Sequence, residues 1–424
     1  MKNELALFGG DKTFDRQLLS YNPFGPEEET AALEVIRSGK LSGYIGAWCP
    51  DFYGGPRVQT FEARCCEYFG VEHAVAVNSL TSGLICAVGA TGIEPGDEVI
   101  VSPWTMSASA TAILVWNGIP VFADIEADTF NLDPASIEAN ISPRTRAIVV
   151  PSIFGGAARL DEIVAIAAAH NLKVIEDAAQ APGVRYGERL VGTLGDIGGF
   201  SLNYHKHIHT GEGGICVTDD GELAERMRLI RNHAEAVVEH KGETNLVNMI
   251  GFNFRLGEIE AAIGAEQLRK LDAMVTARQR LAGCLSARLR SLPGLRVPEP
   301  LPGSTHAYYL YGMTLDLPVV GASRERILAA LRAEGVPALT DRYVTLHRYP
   351  MYRKRIAYGS RHFPWVINGA ASSVSYDDGI CPVAESLDDR QFLGLLLCQY
   401  AFDERDIDSI ATAFEKVWAC REQL

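Results

Sequence analysis

Two side chains that suit one kind of chemistry lie in the middle of the chain. Asp177 lies in the segment IEDAAQAPG, and Lys206 lies further on in GDIGGFSLNYHKHIHTGEGG. Each follows a predicted strand, so both side chains can reach one crevice at the carboxyl edge of a sheet. Pyridoxal phosphate needs a lysine amine for its imine and a carboxylate that keeps its ring nitrogen protonated. This pair can supply both groups, although either residue taken singly could be a solvated surface residue.

The elements that must position this pair alternate between short apolar strands and helical stretches, from Val71 to about Thr218. RAIVVPSIF and LKVIED are almost continuously apolar, as expected of strands buried on both faces. The other predicted strands are HAVAVNS, EVIVSP, PVFADI, GGFSLNY and GGICVTD, with helices in TSGLICAVGATGI, WTMSASATAILVWNG and DEIVAIAAAH. The alternation predicts an α/β fold with a mostly parallel sheet flanked by helices.

The second half of the chain has a different pattern. LGEIEAAIGAEQLRKLDAMVTARQRLAGCLSARLRSL has apolar residues at helical spacing and predicts one long or broken helix. A smaller α+β lobe should follow, with a strand in HAYYLYGMTLDL, a helix in SRERILAALRAEG, loops over residues 342–380 and a last helix from Asp403 to about Cys420. We predict a large cofactor-binding domain with an N-terminal arm over residues 1–265 and a small domain over residues 266–424.

Three segments carry a family resemblance. IEDAAQAPG, FSLNYHKHIHTGEGG and GFNFRLGEIEAAIGAEQLRKLD are similar to the central motifs of the DegT/DnrJ/StrS-type sugar aminotransferases, which are fold-type I pyridoxal phosphate enzymes. The similarity runs in order from about Phe24 to the terminal helix and is weakest over residues 42–54 and 340–380. The resemblance implies pyridoxal 5'-phosphate as the cofactor and a mostly parallel mixed sheet in the large domain, followed by a small α+β C-terminal domain.

The resemblance also implies a role for individual residues. Lys206 would be the Schiff-base lysine and the proton shuttle, and Asp177 would pair with the pyridinium nitrogen. Gln180 would hydrogen-bond the ring hydroxyl, and Ser201 would bind the phosphate. Asn253 would reach the phosphate of the neighbouring subunit, so the active site would be complete only in a homodimer.

Phosphate binding calls for backbone N–H groups at a helix start and for nearby hydroxyls. NSLTSGL lies between a predicted strand and a predicted helix, and its Thr81 and Ser82 are the predicted phosphate ligands. Both could instead be ordinary helix-capping residues. Leu80, just before them, departs from the family pattern of Gly or Ala, which is tolerable if its side chain points into the sheet.

Two further positions differ from the family pattern. Met106 in PWTMSAS stands where an aromatic side chain usually stacks on the cofactor ring, unless Trp104 is turned in instead. A thioether can also pack on an aromatic face, so we count Met106 among the cofactor-binding residues. Ser152 stands where a histidine is common in the family.

The lysine segment holds three histidines, His205, His207 and His209, which alternate around Lys206. In an extended segment, this alternation would place all three on the face opposite the lysine. A metal site or a proton relay is conceivable, but no further Cys/His pair completes a zinc set. We therefore favour polar packing of the loop and predict no metal.

Candidates for substrate contact lie in the second half, where Tyr343, His347 and Arg348 in RYVTLHRYPMYRKR match positions that face the sugar in relatives. The basic cluster of residues 342–355 could meet a phosphate or a carboxylate, or could be a solvated surface loop. The aromatic segment of residues 48–56 is predicted near the entrance of the site.

The composition narrows the range of functions. The chain has 424 residues, of which 47% are hydrophobic and 22% charged, and its net charge is −14. Without a long Lys/Arg run, nucleic acid and anionic membrane are poor partners. The N-terminal sequence lacks a signal peptide, no stretch is apolar enough to span a membrane, and the nine cysteines include no CxxC pair. We therefore expect a cytoplasmic protein with reduced thiols.

These features predict an aminotransferase that moves an amino group from glutamate or glutamine to a keto-sugar, most often a nucleotide-linked one. Alternatives are a non-nucleotide keto-sugar, a sugar acid or a keto-cyclitol as the acceptor, or a non-catalytic regulatory protein that binds pyridoxal phosphate. Lys206 argues against the family's dehydratases, which carry histidine at that position. A nucleotide-dependent dehydrogenase is excluded because no GxGxxG follows a strand.

Overall fold

The computed structural model describes residues 4–424. The strands of its first half are β1 His73–Val77, β2 Glu98–Val101, β3 Ile119–Phe122, β4 Thr145–Pro151, β5 Lys173–Asp177, β6 Arg185–Tyr186, β7 Arg189–Leu190, β8 Ile197–Ser201 and β9 Gly214–Thr218. Seven of them form one mixed sheet in the order β1-β9-β8-β5-β4-β2-β3. Strand β9 runs antiparallel to both of its neighbours, and the remaining pairs are parallel.

The first half also contains helices, several of which pack on this sheet. They are α1 Pro26–Ser38, α2 Pro56–Phe69, α3 Leu80–Ala90, α4 Ala108–Val115, α5 Pro134–Ala139, α6 Leu160–Ala169, α7 Gly221–Arg231 and α8 Val238–Lys241. Strands β2 and β3 are buried at every position because helices and loops pack on both faces. The predicted strands and helices of this half, and the mostly parallel sheet, are confirmed.

The alternation of side chains along β5 separates two buried carboxylates. Glu176 is fully buried on one face, where its two oxygens accept hydrogen bonds of 2.6–2.7 Å from the backbone N–H groups of Gly192, Leu194 and Gly195. Successive side chains of a strand point to opposite faces, so Asp177 points the other way. The strand thus presents Asp177 at its carboxyl end and secures Glu176 behind it.

The apolar stretch after Gly257 forms two helices, α9 Glu258–Leu268 and α10 Leu271–Leu289, so the predicted long helix is broken at residues 269–270. The strands that follow are β10 Leu295–Arg296, β11 Tyr311–Leu315, β12 Leu339–Thr340, β13 Val366–Ile367, β14 Ala370–Ala371 and β15 Phe392–Leu395. The remaining helices are α11 Leu317–Val320, α12 Arg324–Ala333, α13 Pro350–Arg353, α14 Pro382–Ser386 and α15 Glu404–Ala419. A four-stranded antiparallel sheet, β10-β11-β15-β12, packs with α10, α12 and α15, which confirms the small α+β lobe.

The division at residue 265 stays a prediction. Residues from each side of it are buried in the core of the other side. Leu5 and Phe14 of the N-terminal segment are buried in the core of the small lobe. Conversely, Leu346, Tyr352 and Trp365 belong to the core cluster that contains the large sheet. Among residues 4–424, none of the helices has the length and apolar composition needed to cross a membrane.

Candidate active site

A cavity of about 200 Å³ opens at the carboxyl ends of β4, β5 and β8, beside the start of α3. Six of the predicted site residues line it: Thr81, Met106, Asp177, Gln180, Ser201 and Lys206. Their side chains converge because parallel strands direct their carboxyl ends to the same edge of the sheet. Ser152, Asn203, His205 and Glu212 also line the cavity.

Asp177 ends β5 and is almost fully buried. Its Oδ2 accepts a hydrogen bond of 2.6 Å from Ser109 Oγ, and its Oδ1 accepts one of 3.2 Å from the backbone N–H of Ala179. Burial raises the pKa of the Asp177 carboxyl, while these two hydrogen bonds and the charge of Lys206 act in the opposite direction. The carboxylate is therefore held in one orientation at the cavity wall, where a cationic partner would stabilise its charge.

Lys206 lies in a tight turn after β8, in which its N–H donates to the carbonyl oxygen of Asn203 at 2.9 Å. The side chain is 7% exposed. Burial lowers the pKa of Lys206 to about 8, although the Asp177 carboxylate opposes the shift. A sizeable fraction of the amine is therefore neutral just above pH 7, which is the form that can attack a carbonyl carbon.

Gln180 is oriented by two hydrogen bonds. Its Oε1 accepts from the backbone N–H of Phe154 at 2.7 Å, and its Nε2 donates to the hydroxyl of Tyr343 at 2.8 Å. Phe154 has a φ of 57°, a left-handed conformation that directs its N–H to the amide. Among residues 4–424, Nε2 meets no further acceptor, and its second hydrogen can donate into the cavity.

The start of α3 forms another wall. The backbone N–H of Ser82 donates to Ser79 Oγ at 3.1 Å, which makes Ser79 the N-cap, and Ser82 Oγ donates to Asn78 Oδ1 at 2.7 Å. Thr81 faces the cavity, whereas Ser82 is buried behind it, so the structure brings only one of the two predicted phosphate hydroxyls to the wall.

Leu80 is buried against the sheet, which is the orientation that makes a leucine tolerable where the family usually has Gly or Ala. A Cβ atom at Gly199 would lie 2.6 Å from Leu80 Cδ1, and one at Gly214 would lie 2.6 Å from the Leu80 backbone nitrogen. Glycine at both positions therefore gives the leucine and the helix start their space. Met106 is 56% exposed at the cavity, while Trp104 is fully buried and packs against Tyr343 and Phe392, so Trp104 is not turned into the cavity.

The structure leaves several predicted residues outside the cavity. Asn253 is exposed on the surface, where its Oδ1 accepts from Arg255 Nε at 2.7 Å. His347 is buried and contacts Glu385 at 2.9 Å, and Tyr343 reaches the cavity wall only through Gln180. The segment of residues 48–56 is also absent from the cavity lining, and Trp48 packs under Lys241.

Arg348, the other predicted substrate contact, is held by carboxylates. Its guanidinium lies 3.0 Å from Asp378, 2.6 Å from Asp389 and 3.3 Å from Glu385. The carboxyl oxygens of Asp378 and Glu385 and a ring nitrogen of His347 lie close enough for one cation, but Arg348 already supplies the positive charge there. The geometry offers neither His347 nor Arg348 to a ligand in the cavity.

The histidine loop is not extended, so its histidines do not alternate as they would in a strand. His205 lines the cavity together with Lys206 instead of pointing to the opposite side. The strand alternation fails because residues 204–208 form turns and bends after β8. His207 is fully buried with Nε2 2.9 Å from the carbonyl oxygen of Ala307, and the ring of His209 packs edge-on to Phe24 at 4.6 Å. These two contacts agree with polar packing of the loop.

The polar groups of the cavity suit a planar, charged cofactor. Two buried atoms of its lining, Ser152 Oγ and Asn203 Oδ1, have no hydrogen-bond partner, and Lys206 forms no ion pair among residues 4–424. Buried polar groups are normally satisfied, so these atoms indicate a polar ligand. A carboxylate, a free amine and a helix start in one cavity match the ring nitrogen, the aldehyde and the phosphate of pyridoxal phosphate.

Comparison with known proteins decides the family. The sequence model of the DegT/DnrJ/EryC1/StrS aminotransferase family matches residues 49–376, about three quarters of the chain. The chain belongs to this family. It is 36% identical over 379 residues to the spore coat polysaccharide biosynthesis protein SpsC of Bacillus subtilis, covering 86% of the chain and 94% of that protein. It is 35% identical over 415 residues to the L-glutamine:2-deoxy-scyllo-inosose aminotransferase of Streptoalloteichus tenebrarius, covering 93% of the chain and 94% of that protein.

Solved structures give the same result. An aminotransferase from Psychrobacter cryohalolentis superimposes with a TM-score of 0.80 at 27% identity, covering 96% of this chain and all of that one. DesI with its TDP-sugar product also reaches 0.80, at 28% identity over 99% and 97% of the two chains. This aminotransferase therefore has the fold-type I architecture and uses pyridoxal phosphate, and both predictions are confirmed.

Proposed function

We propose that this aminotransferase moves an amino group from glutamate or glutamine to a keto-sugar, with Lys206 and Asp177 as its catalytic residues. One observation carries the proposal: adjacent parallel strands bring a buried carboxylate and a buried amine of lowered pKa into the same cavity. Perturbed titratable groups that share a cavity are typical of catalytic sites.

Pyridoxal phosphate, when bound, supplies an aldehyde for the amino group and a protonated ring that withdraws electrons. Lys206 would attach through Nζ and, once released, would carry a proton from the carbon that loses the amino group to the cofactor. Asp177 Oδ2, oriented by Ser109, would keep the ring nitrogen protonated. Gln180 Nε2 would donate to the ring hydroxyl, and Thr81, Ser201 and the N–H groups at the start of α3 would hold the phosphate.

The proposed acceptor is a nucleotide-linked keto-sugar. Support comes from DesI, which was solved with a TDP-sugar product, and from the 39% identity over 284 residues to the GDP-perosamine synthase of Caulobacter vibrioides, covering 66% of this chain and 75% of that protein. A keto-cyclitol is the second candidate. It is favoured by the inosose aminotransferase, which aligns over nearly the whole chain and whose name gives glutamine as the donor.

A half-reaction assay tests the proposed function. The protein is loaded with the amine form of the cofactor and mixed with single acceptors: a TDP-linked or GDP-linked 4-keto-6-deoxysugar, a free keto-sugar and 2-deoxy-scyllo-inosose. We expect a nucleotide-linked ketone to restore the absorbance of the lysine-bound cofactor. Restoration by the cyclitol alone would favour the second candidate. If glutamate and glutamine left the spectrum of the lysine-bound form unchanged, and every acceptor left that of the amine form unchanged, the chain would be the non-catalytic alternative.

We further propose that the enzyme is a homodimer in which Asn253 completes the partner's phosphate site. Asn253 is exposed, and exposed apolar side chains lie on two segments beside it: Leu41, Ile45, Trp48, Leu246 and Ile250. Asn232 joins these segments, since it bridges to Asn253 and its Nδ2 donates to the carbonyl oxygen of Ile45 at 3.1 Å. Exposed apolar side chains on adjoining segments support a subunit interface at this surface.

Mixing two inactive variants tests the shared site. Lys206→Ala removes the amine, and Asn253→Asp places a negative charge where the phosphate would bind. After the two are unfolded and refolded together, half of the randomly paired dimers are hybrids with one intact site, so about a quarter of wild-type activity should return. Either variant refolded alone is the control. No recovery, despite hybrid dimers seen by native mass spectrometry, would show that Asn253 serves its own subunit.

A further inference from the structure

Tyr309 from the small lobe reaches the amine of Lys206. The lysine Nζ lies 4.4 Å from the centre of the Tyr309 ring, and the tyrosine is 8% exposed. The rings of His205 and His207 lie at 6.1 and 6.3 Å from the same ring. An ammonium ion within about 6 Å of an aromatic face is attracted by its quadrupole, and exclusion of water strengthens the attraction.

The backbone that carries this ring is fixed against two loops of the large domain. The N–H of Ala307 donates to Gly155 at 2.8 Å and that of Leu310 to Phe154 at 3.2 Å, while the carbonyl oxygen of Ala307 contacts His207 Nε2 at 2.9 Å. A Cβ atom at Gly155, whose φ is 96°, would lie 2.9 Å from the Tyr308 nitrogen. The backbone of Tyr309 is therefore held beside the lysine loop.

We propose that Tyr309 is a positioning residue, whose ring face holds the protonated Nζ of Lys206 while the lysine is not attached to the cofactor. The face attracts the ammonium and not the neutral amine, so it favours the state in which the lysine keeps its proton. This inference rests on the proton-carrying role proposed for Lys206. It assigns the small lobe a direct part in the chemistry of the large one.

Several groups besides the ring act on the lysine. Asp177 on β5 favours the ammonium, as does Cys398 after β15, and burial favours the neutral amine. Among the neighbouring histidines, burial lowers the pKa of His205 to about 4 and that of His207 well below its usual value, so both are neutral near pH 7. A test must therefore alter the ring while leaving these groups and the cavity shape unchanged.

The test measures the pKa of Lys206 in the protein without cofactor, from the pH dependence of its labelling by trace acetic anhydride, read by peptide mass spectrometry. Tyr309→Phe keeps the ring face, and trifluorophenylalanine introduced at position 309 keeps the shape but cancels the negative face. We expect the pKa to stay unchanged with phenylalanine and to fall by about 0.5–1 unit with the fluorinated ring. Lys173, paired with Asp196 on the surface, is the internal control.

An unchanged pKa in the fluorinated variant, or an equal fall in both variants, would overturn the proposal. Labelling is done without cofactor, donor or acceptor, so its result does not depend on the substrate proposed above. In the loaded enzyme, the fluorinated variant should lower kcat several-fold and leave the KM of the acceptor unchanged, because the ring contacts the lysine and not the substrate. A change in KM alone would contradict a positioning role.

Discussion

Replacing Lys206 by alanine should lower kcat by about 10⁴-fold, since a positioned base that is also the nucleophile accounts for that range. The substitution removes the buried amine, whose pKa is lowered to about 8. The measurement is the single-turnover rate of the half-reaction with glutamate or glutamine, followed by absorbance. Cofactor should still bind through its phosphate and ring contacts, so a spectrum of bound cofactor with arrested turnover is the expected result.

Two controls separate chemistry from folding in this variant. Unchanged near-ultraviolet circular dichroism and an unchanged unfolding midpoint would show that the cavity persists. Added methylamine should restore part of the rate, because a free amine can replace the missing proton carrier. Lys206→Arg keeps the positive charge and a similar side-chain length, but arginine supplies no neutral amine, so this variant should stay inactive. Wild-type turnover by Lys206→Ala would contradict the whole proposed mechanism.

Asp177→Asn should lower kcat by about 10²- to 10³-fold. The amide keeps the size of the carboxylate, and it can still accept from the Ala179 N–H and bond Ser109, but it cannot balance a positive charge. Loss of one partner of a buried ion pair costs about 3–5 kcal/mol, and each 1.4 kcal/mol changes a rate about tenfold. The measurement is kcat together with the fraction of cofactor retained.

Asp177→Glu and Ser109→Ala complete this series. Glutamate keeps the charge but moves it by one methylene, so its activity should lie between those of wild type and Asp177→Asn. Removal of the Ser109 hydroxyl takes away a hydrogen bond that stabilises the carboxylate, so the pKa of Asp177 should rise and the effect on kcat should be about tenfold or less. If Asp177→Asn kept more than a third of wild-type kcat, Asp177 would have no part in holding the ring proton.

The short-range features of this chain were predictable from its sequence. Apolar runs bounded by turn residues indicated the strands. Because the strands are parallel, the residues that follow them were expected at the same edge of the sheet. The motifs around Asp177 and Lys206 indicated the cofactor and the family. The roles of single residues remain predictions, although six of the predicted residues lie together in one cavity.

The misplaced residues depend on features that short sequence patterns do not specify. His205 faces the cavity because the lysine loop turns, whereas alternation assumed an extended segment. Arg348 looked like part of a free basic cluster, but Asp378 and Asp389, 30 and 41 positions away, hold it. Local sequence patterns do not specify which carboxylate meets which arginine.

The sequence by itself determined the elements, the family and the residue types of the site, because hydrophobic periodicity and motif spacing act over short stretches of chain. Only the tertiary structure decided which groups surround the amine. Ser109 holds Asp177 from the first turn of α4, and Tyr309 meets Lys206 across the two lobes. Such contacts are set by the packing of elements on one another, and that packing depends on the whole core.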